Sequence, residues 1–389
     1  MALQAVSQGA SFDQSSTYKL SLDPQVDAIL LDDSETLNVL GITKEDPEAG
    51  VKVATQTKHE WDEDELNPTT VKAASGGGLS TASTVLLLTG GQSTRVTAGT
   101  LIKDVLSGKY EVMQVTARSG VSATVTRGYN ATSAESHAAA ATYDIIANPR
   151  PEGMDGPKDE SVSRSRSYNY TQIFSKGVKL TGTALAIEHN GIPAEDTYQI
   201  DKRLRELMRE LNRTVLMGIR SSDRHSDTVY GTLGGLIDYI KHAVSGNTNS
   251  TAETLTPSVV NAMARQIYDD GGMADIIIMG ATQKQKFSLF DREYRRSTMD
   301  TRRAGFTVDE FVTDLGWNLR VVLDRWMPTD CVLMIDSSRV RVVPLRTRGF
   351  FLEPLAKTGD ANNWQIVGEY TLEVKQAAKA HAIHTNLKQ

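Results

Sequence analysis

Cysteine is almost missing from this chain: Cys331 is the only one in 389 residues. That excludes an internal disulfide and any thiolate metal cluster. Its place in the apolar run Asp330–Asp336 reads as an inert core thiol. A surplus of positive charge is missing too. Lys and Arg number 42 against 48 Asp and Glu, a net charge of −6, so no overall attraction to nucleic acid is expected. Apolar runs are short, Val85–Leu88 and Ile276–Met279 being typical, and none could span a membrane. Residues Met1–Asp13 have neither a basic n-region nor an apolar h-region. No secretion signal is expected, and the protein is placed in the cytoplasm or in something assembled there.

The signatures of catalysis are also lacking. There is no Gly-x-Ser-x-Gly elbow, no His-Glu-x-x-His and no Cys–His pairing. Seven histidines (His59, His137, His189, His225, His242, His381, His384) are scattered along the chain. His381 and His384 are three apart in a stretch read as strand, so they face opposite ways and do not share a metal. Gly90-Gly91-Gln92-Ser93-Thr94 lacks the Gly-Lys-Ser/Thr ending of a phosphate loop. The His59–Glu65 cluster lacks cation-ligand spacing and reads as a solvated acidic turn. Sequons at Asn130, Asn169 and Asn212 carry no meaning without secretion. No catalytic residue, metal or cofactor is expected.

What the chain does have is length for two or three cores, with 39% apolar and 23% charged residues as in ordinary folded proteins. Its dominant feature runs from Pro193 to Arg220. Ile200, Leu204, Leu207, Met208, Leu211, Val215 and Ile219 keep helical spacing along one face. Pro193 presets the start, Glu195 and Asp196 suit the first turn, and Gly218 loosens the end. Asp201 and Arg205 stand one turn apart on the wet face. About 28 residues at 1.5 Å each predict a rod of about 42 Å.

Before the rod, Met1–Tyr18 reads as a loose arm and Asp27–Leu40 as a short amphipathic helix stopped by Gly41. Lys52–Trp61 alternates as a strand. Gly76-Gly77-Gly78 opens a Thr, Ser, Val and Ala-rich segment, Ser75–Ala147. Strands are expected there at Ser83–Thr89, Thr100–Asp104, Tyr110–Thr116, Ala123–Arg127 and Thr142–Ile146. They predict a small β-barrel or sandwich, closing its own edges and inserted near the tip of a long hairpin. The hairpin arms are Lys52–Trp61 and Val162–Phe174, with Val178–Ile187 extended beyond them.

After the rod, Thr256-Pro257 caps a helix from Ser258 to Asp270 with Val259, Met263, Ile267 and Tyr268 inward. Asp275–Met279 reads as a fully buried strand and Thr282–Phe290 as a helix. A basic, mobile loop follows, Arg292–Arg303. Strands are expected at Leu319–Leu323, Cys331–Ile335 and Val340–Val343, and Gln365–Val374 and Ala378–Thr385 read as two strands or one long bent strand. Thr256–Val343 is a mixed α/β domain, and the whole is α+β.

The phrases SYNYTQIFSKGVKLTGTALAIEHNGI, RLRELMRELNRTVLMG, DIIIMGATQKQKF and GEYTLEVKQAAKAHAIH, in that order, resemble the major capsid proteins of tailed bacteriophages. The likeness is to the subgroup whose hairpin carries an extra β-domain, which EVMQVTARSG and TVTRGYNAT resemble. It implies an α+β Hong Kong 97-like fold. Residues 1–51 would be an N-terminal arm, and 52–74 with 148–185 the extended loop. Residues 75–147 would be the inserted β-domain, and 186–227 a peripheral domain with a spine helix. Residues 228–345 would be an axial domain, and 346–389 would return to the peripheral domain.

The implied function is self-assembly into hexamers and pentamers of an icosahedral virion shell enclosing double-stranded DNA, built in the host cytoplasm. Decoration, portal and scaffold proteins are the implied partners besides further copies. Interface residues are expected on the hairpin (Arg164, Arg166, Tyr168, Tyr170) and the rod (Arg205, Arg209, Arg213). Arg292, Arg295, Arg296, Arg302 and Arg303 would touch DNA or a neighbouring subunit, against the plainer reading of a solvated loop. A two-stranded hairpin is marginal in water and needs a neighbour to lie on. Two other readings stay open: an encapsulin-type compartment shell, and an enzyme or ligand-binding protein using the β-insert. Against the last, the insert has only Tyr110, Tyr129 and Tyr143 as aromatics.

Overall fold

The computed structural model describes residues 34–42, 53–104, 108–153, 161, 163–187, 194–221, 228–243, 246–289, 295–297, 309–357 and 359–388. Helix α1 (Glu35–Leu40) and strand β1 (Lys58–Glu63) precede six short strands, β2 (Thr70–Lys72), β3 (Val85–Leu87), β4 (Leu101–Asp104), β5 (Val112–Ser119), β6 (Ser122–Thr126) and β7 (Thr142–Ala147). Strand β8 (Ser165–Tyr170) then pairs with β1 in a two-stranded ladder. Next come β9 (Gln172–Thr181), α2 (Gly182–Ala186), the rod α3 (Glu195–Met217), α4 (Leu236–Lys241), β10 (Asn247–Asn249) and α5 (Pro257–Asp269). They are followed by β11 (Ile276–Met279), α6 (Ala281–Phe287), β12 (Arg295–Ser297), β13 (Asp309–Val312), β14 (Asn318–Leu323) and β15 (Val332–Ile335). The chain ends with β16 (Val340–Pro344), β17 (Phe351–Leu355), β18 (Ala361–Val374) and β19 (Ala382–His384). No helix among the described residues is long and apolar enough to cross a membrane.

Two compact units result, residues 62–165 and the remainder. In the smaller, six strands run in the order β2-β7-β4-β5-β6-β3. The ends of that sheet meet: Ala73 bridges Leu88, and Thr89 N–H donates to Lys72 O at 2.9 Å. The insert is therefore a closed barrel, which removes the edges a sheet would expose. Register shifts at Leu101/Ile102 and Val115/Ala117 supply the bends that closure needs. Leu79, Leu86, Ile102, Met113, Val115 and Tyr143 fill the interior. Strand β2, only three residues long, lies outside the expected insert boundaries.

In the larger unit the 14-residue β18 is the backbone of a four-stranded sheet. Strand β9 pairs along it from Gln172 to Thr181, while β16 and β17 share its other edge. The second sheet has seven strands, β10-β19-β15-β11-β14-β13-β12. Its central strand β11 explains the continuous run Ile-Ile-Ile-Met: Ile276 and Ile278 face the core under α3, Ile277 and Met279 the core under α5. Thr256 caps α5, its hydroxyl accepting from Val259 N–H, with Pro257 in the first turn.

Several expectations need correcting. The rod stops at Met217 rather than Arg220 because the chain turns to run beside residues 232–235, with Gly235 N–H on Gly218 O at 2.8 Å. A Cβ on Gly235 would meet Gly218 N at 2.6 Å and Thr214 O at 2.8 Å, so the crossing requires glycine. Ile219 consequently points to solvent, and so does Tyr268, while Val260 and Ala264 join the inner face of α5. Strand β9 ends at Thr181, whose hydroxyl accepts from Ala184 N–H and starts α2 where strand was expected. Part of the basic loop is strand, β12 against β13. The last strand, β19, lies beside β15 in the seven-stranded sheet instead of returning to the four-stranded one. Residues 1–33 of the expected arm and helix lie outside the described residues.

Candidate functional site

On the hairpin, Arg164 is 72% exposed and meets Asp64 at 3.4 Å; Arg166 meets Glu60 at 3.5 Å. Such exposed pairs hold weakly and exchange partners readily. Tyr168 is half-buried, with the Lys58 ammonium 4.3 Å and the Arg220 guanidinium 4.4 Å from its ring centre. Tyr170 is only 7% exposed and packs edge-on against Tyr168. It belongs to the fold and has little surface to offer a neighbour.

On the rod, Arg205 pairs with Asp201 at 3.5 Å, one turn back, as the spacing predicted. Arg203 grips both Glu206 oxygens at 2.7 Å, and this bond holds the Glu206 carboxyl below its usual pKa. Arg209 and Arg213 line a shallow groove of about 410 Å³ with Lys176, Glu206, Glu210 and Met217. The Arg213 guanidinium also lies 4.9 Å from the Trp326 ring centre. The groove carries both signs of charge, with Lys176 on Glu210 at 3.3 Å. It is chemically suited to a polar, mixed-charge protein surface rather than to an anion.

In β12, Arg295 stands opposite Phe311 and Arg296 opposite Glu310. Arg292, Arg302 and Arg303 lie outside the described residues.

Three buried polar arrangements escaped the sequence reading. Asn169 is fully buried; its Nδ2 donates to Gly234 O at 3.0 Å and Leu372 O at 2.7 Å, and its Oδ1 accepts from Gly234 N–H. Asn212 on the rod binds Asp324 and the backbone of Leu37. Both asparagines look like sequons, and their burial rules that use out. Inside the barrel, His137 lies between Asp104 (2.8 Å) and Glu111 (2.9 Å), and Arg127 grips Glu111 through Nε and Nη2. Burial alone would raise the Glu111 pKa. Hydrogen bonds from Arg127, Glu135 N–H, His137 and Gly128 N–H outweigh it and bring it to about 2. The only hint in the sequence is charge placed among strand residues.

No group of three or more His, Cys, Asp or Glu side chains among the described residues could hold a metal ion. The Cys331 thiol is buried and pushed up to about 12 by loss of water and the nearby Asp330. His381 is buried as a neutral ring, accepting from Asp336 N–H and donating to Lys375 O. His384 faces Glu253 instead.

Compared with known proteins, residues 9–388 match the family model described as SU10 major capsid protein. Over 271 residues the chain is 25% identical to the major capsid protein of Escherichia phage Phieco32, covering 56% of this chain and 74% of that one. Among solved structures it is similar to a chain of Microbacterium phage Oxtober96, with a TM-score of 0.45 at 12% identity, over 98% of this chain and 99% of that one. A chain of Mycobacterium phage Bobi gives 0.49 at 9% identity, over 97% and 98%.

Proposed function

This chain belongs to the SU10 major capsid protein family, and from that premise we propose how its surfaces build a shell. It is the major capsid protein of a tailed phage, with an α+β Hong Kong 97-like fold, and it works in the virion by self-association.

The observation that carries the finer reading is the β1–β8 ladder. It has two strands and no third among the described residues, and an isolated pair is marginally stable in water. The hairpin is the extended loop, and it lies on a neighbouring copy. Its exposed Arg164 and Arg166 trade intramolecular carboxylates for carboxylates of that copy. Edge strand β17 adds exposed apolar side chains to the contact, Phe351 and Leu355 on one face and Leu352 on the other. On the rod, Arg205, Arg209 and Arg213 form the mixed-charge counter-surface. Residues around the seven-stranded sheet gather at the centre of each capsomer. Identical copies meeting through different patches close into rings, here hexamers and pentamers that tile an icosahedral shell around double-stranded DNA. Arg292, Arg295, Arg296, Arg302 and Arg303 serve the DNA-facing or inter-subunit side. Assembly takes place in the host cytoplasm, with portal, scaffold and decoration proteins as neighbours. As a structural protein it has no catalytic step to perform.

The test is to express the full chain and raise its concentration while following light scattering and negative-stain microscopy. Closed particles of uniform diameter are expected. A stable, folded monomer under every salt and concentration tried would overturn the reading.

A further inference from the structure

Resting on the reading of the hairpin as an assembly arm, we propose that Arg220 is the positioning residue that fixes the root of that arm. The side chain stands just past the end of α3, where residues 218–221 run beside 232–235. From there its Nη1 donates to the carbonyl of Tyr168 in β8 at 2.8 Å. The guanidinium plane also covers two rings, Tyr168 at 4.4 Å and Tyr239 of α4 at 5.5 Å. The Tyr239 hydroxyl donates to the same Tyr168 carbonyl, so both of that oxygen's lone pairs are taken by the body of the unit.

The other strand is held by the same cluster. Trp61 of β1 packs against Tyr239 with ring centres 6.1 Å apart, and Lys58 of β1 sits over the Tyr168 ring. One residue from the rod's end thus reaches both strands, directly or through one ring. The neighbouring Asn169 is buried and bonded within the fold. Arg220 is exposed, so losing it leaves no buried group without water. Its contacts reach the hairpin root at Tyr168 directly, and meet the core only through the ring of Tyr239 at the core's edge.

Lysine would keep the charge but not the planar fork that stacks and donates together. This separates a positioning role from a simple charge requirement. Full-length wild-type, Arg220→Ala and Arg220→Lys chains are compared by peptide-level hydrogen exchange as unassembled subunits, and by particle yield under assembly conditions. The expected result is exchange about tenfold faster in peptides covering 58–61 and 166–170 for Arg220→Ala, with the α5 and β11 peptides unchanged. Particle yield should fall in parallel, and Arg220→Lys should fall between. Unchanged exchange at the root, or faster exchange spread evenly over the unit, overturns the proposal. A loosened root with undiminished yield overturns the positioning role. Should the wild-type chain form no particles, the assembly reading fails, and the exchange comparison still decides whether Arg220 holds the root.

Discussion

The side-chain amide of Asn212 donates to the carboxylate of Asp324 at 2.8 Å, across 112 residues of sequence. The same oxygen accepts from the Thr36 hydroxyl at 2.7 Å and the Thr36 N–H at 3.2 Å, while the other accepts from Trp326 N–H. Asn212 Oδ1 in turn accepts from Leu37 N–H. Helix α1, the rod and the segment after β14 are thereby tied at a point where all three side chains are fully buried. A satisfied buried network adds modestly to stability but costs much when one member is removed.

Replacing that amide is the direct test. Asn212→Ala strips partners from Leu37 N–H and from one side of Asp324 without creating a large cavity. A loss of roughly 2–4 kcal/mol is expected, read as a lower urea midpoint at unchanged slope. A midpoint within experimental error of wild type would show that water or repacking replaces the network.

The barrel should fail on its own when its charged core is broken. Glu111 accepts from Arg127 Nε, Arg127 Nη2, Gly128 N–H and Glu135 N–H, and also meets His137. Glu111→Gln turns one acceptor oxygen into a donor facing a guanidinium. We expect roughly 3–5 kcal/mol of local destabilisation. Limited proteolysis should then cut within residues 70–147 while peptides from α3, α5 and β11 stay protected. Equal loss in both units would contradict the separate cores of the two.

Regular spacing made the rod, the α5 cap and β11 legible, because periodicity and caps are local properties. The double burial of Ile276–Met279 was legible for the same reason. Tertiary choices were not. Ile219 keeps the rod's apolar spacing, yet it is exposed because Gly218 and Gly235 let another segment cross the helix end. The strand break falls at Thr171, where the partner changes from β1 to β18 and the side chain turns inward to Glu369. Alternation on both sides hides that change. Of the expected site residues, Arg164 and Arg205 sit on the surface, whereas Tyr170 is inside. Asn169, Asn212 and Asp324 could not be found from spacing at all, since a buried polar residue is recognised by partners distant in sequence.

Cys331 offers a built-in probe of opening. It is 3% exposed, and its thiol is held near 12, so almost no thiolate exists at neutral or mildly alkaline pH. Ellman's reagent at pH 8 should find no reactive thiol in the folded chain and one per chain in urea. Prompt reaction of the native protein would mean that β15 opens far more often than its burial between two cores allows.

Acid should weaken the two units in different pH ranges. Burial holds the His381 pKa down at about 4 against an ordinary 6.5, the folded state preferring the neutral ring. A base depressed in this way contributes stability that is complete above 6.5 and lost as pH falls toward 4, roughly 3 kcal/mol in all. Glu111 in the barrel is an acid brought to about 2 from 4.5, so its contribution is complete above 4.5 and lost only from there downward. Near pH 4.5, then, the seven-stranded sheet has already given up most of its histidine-linked stability, while the barrel keeps its charged core intact. Urea midpoints at pH 7.5, 6, 5 and 4 should fall for the larger unit, with barrel amides still protected from exchange at pH 4.5. In His381→Asn, which can still donate and accept, the decline between pH 6.5 and 4 should flatten. Identical slopes for wild type and variant would assign the acid sensitivity to groups other than His381.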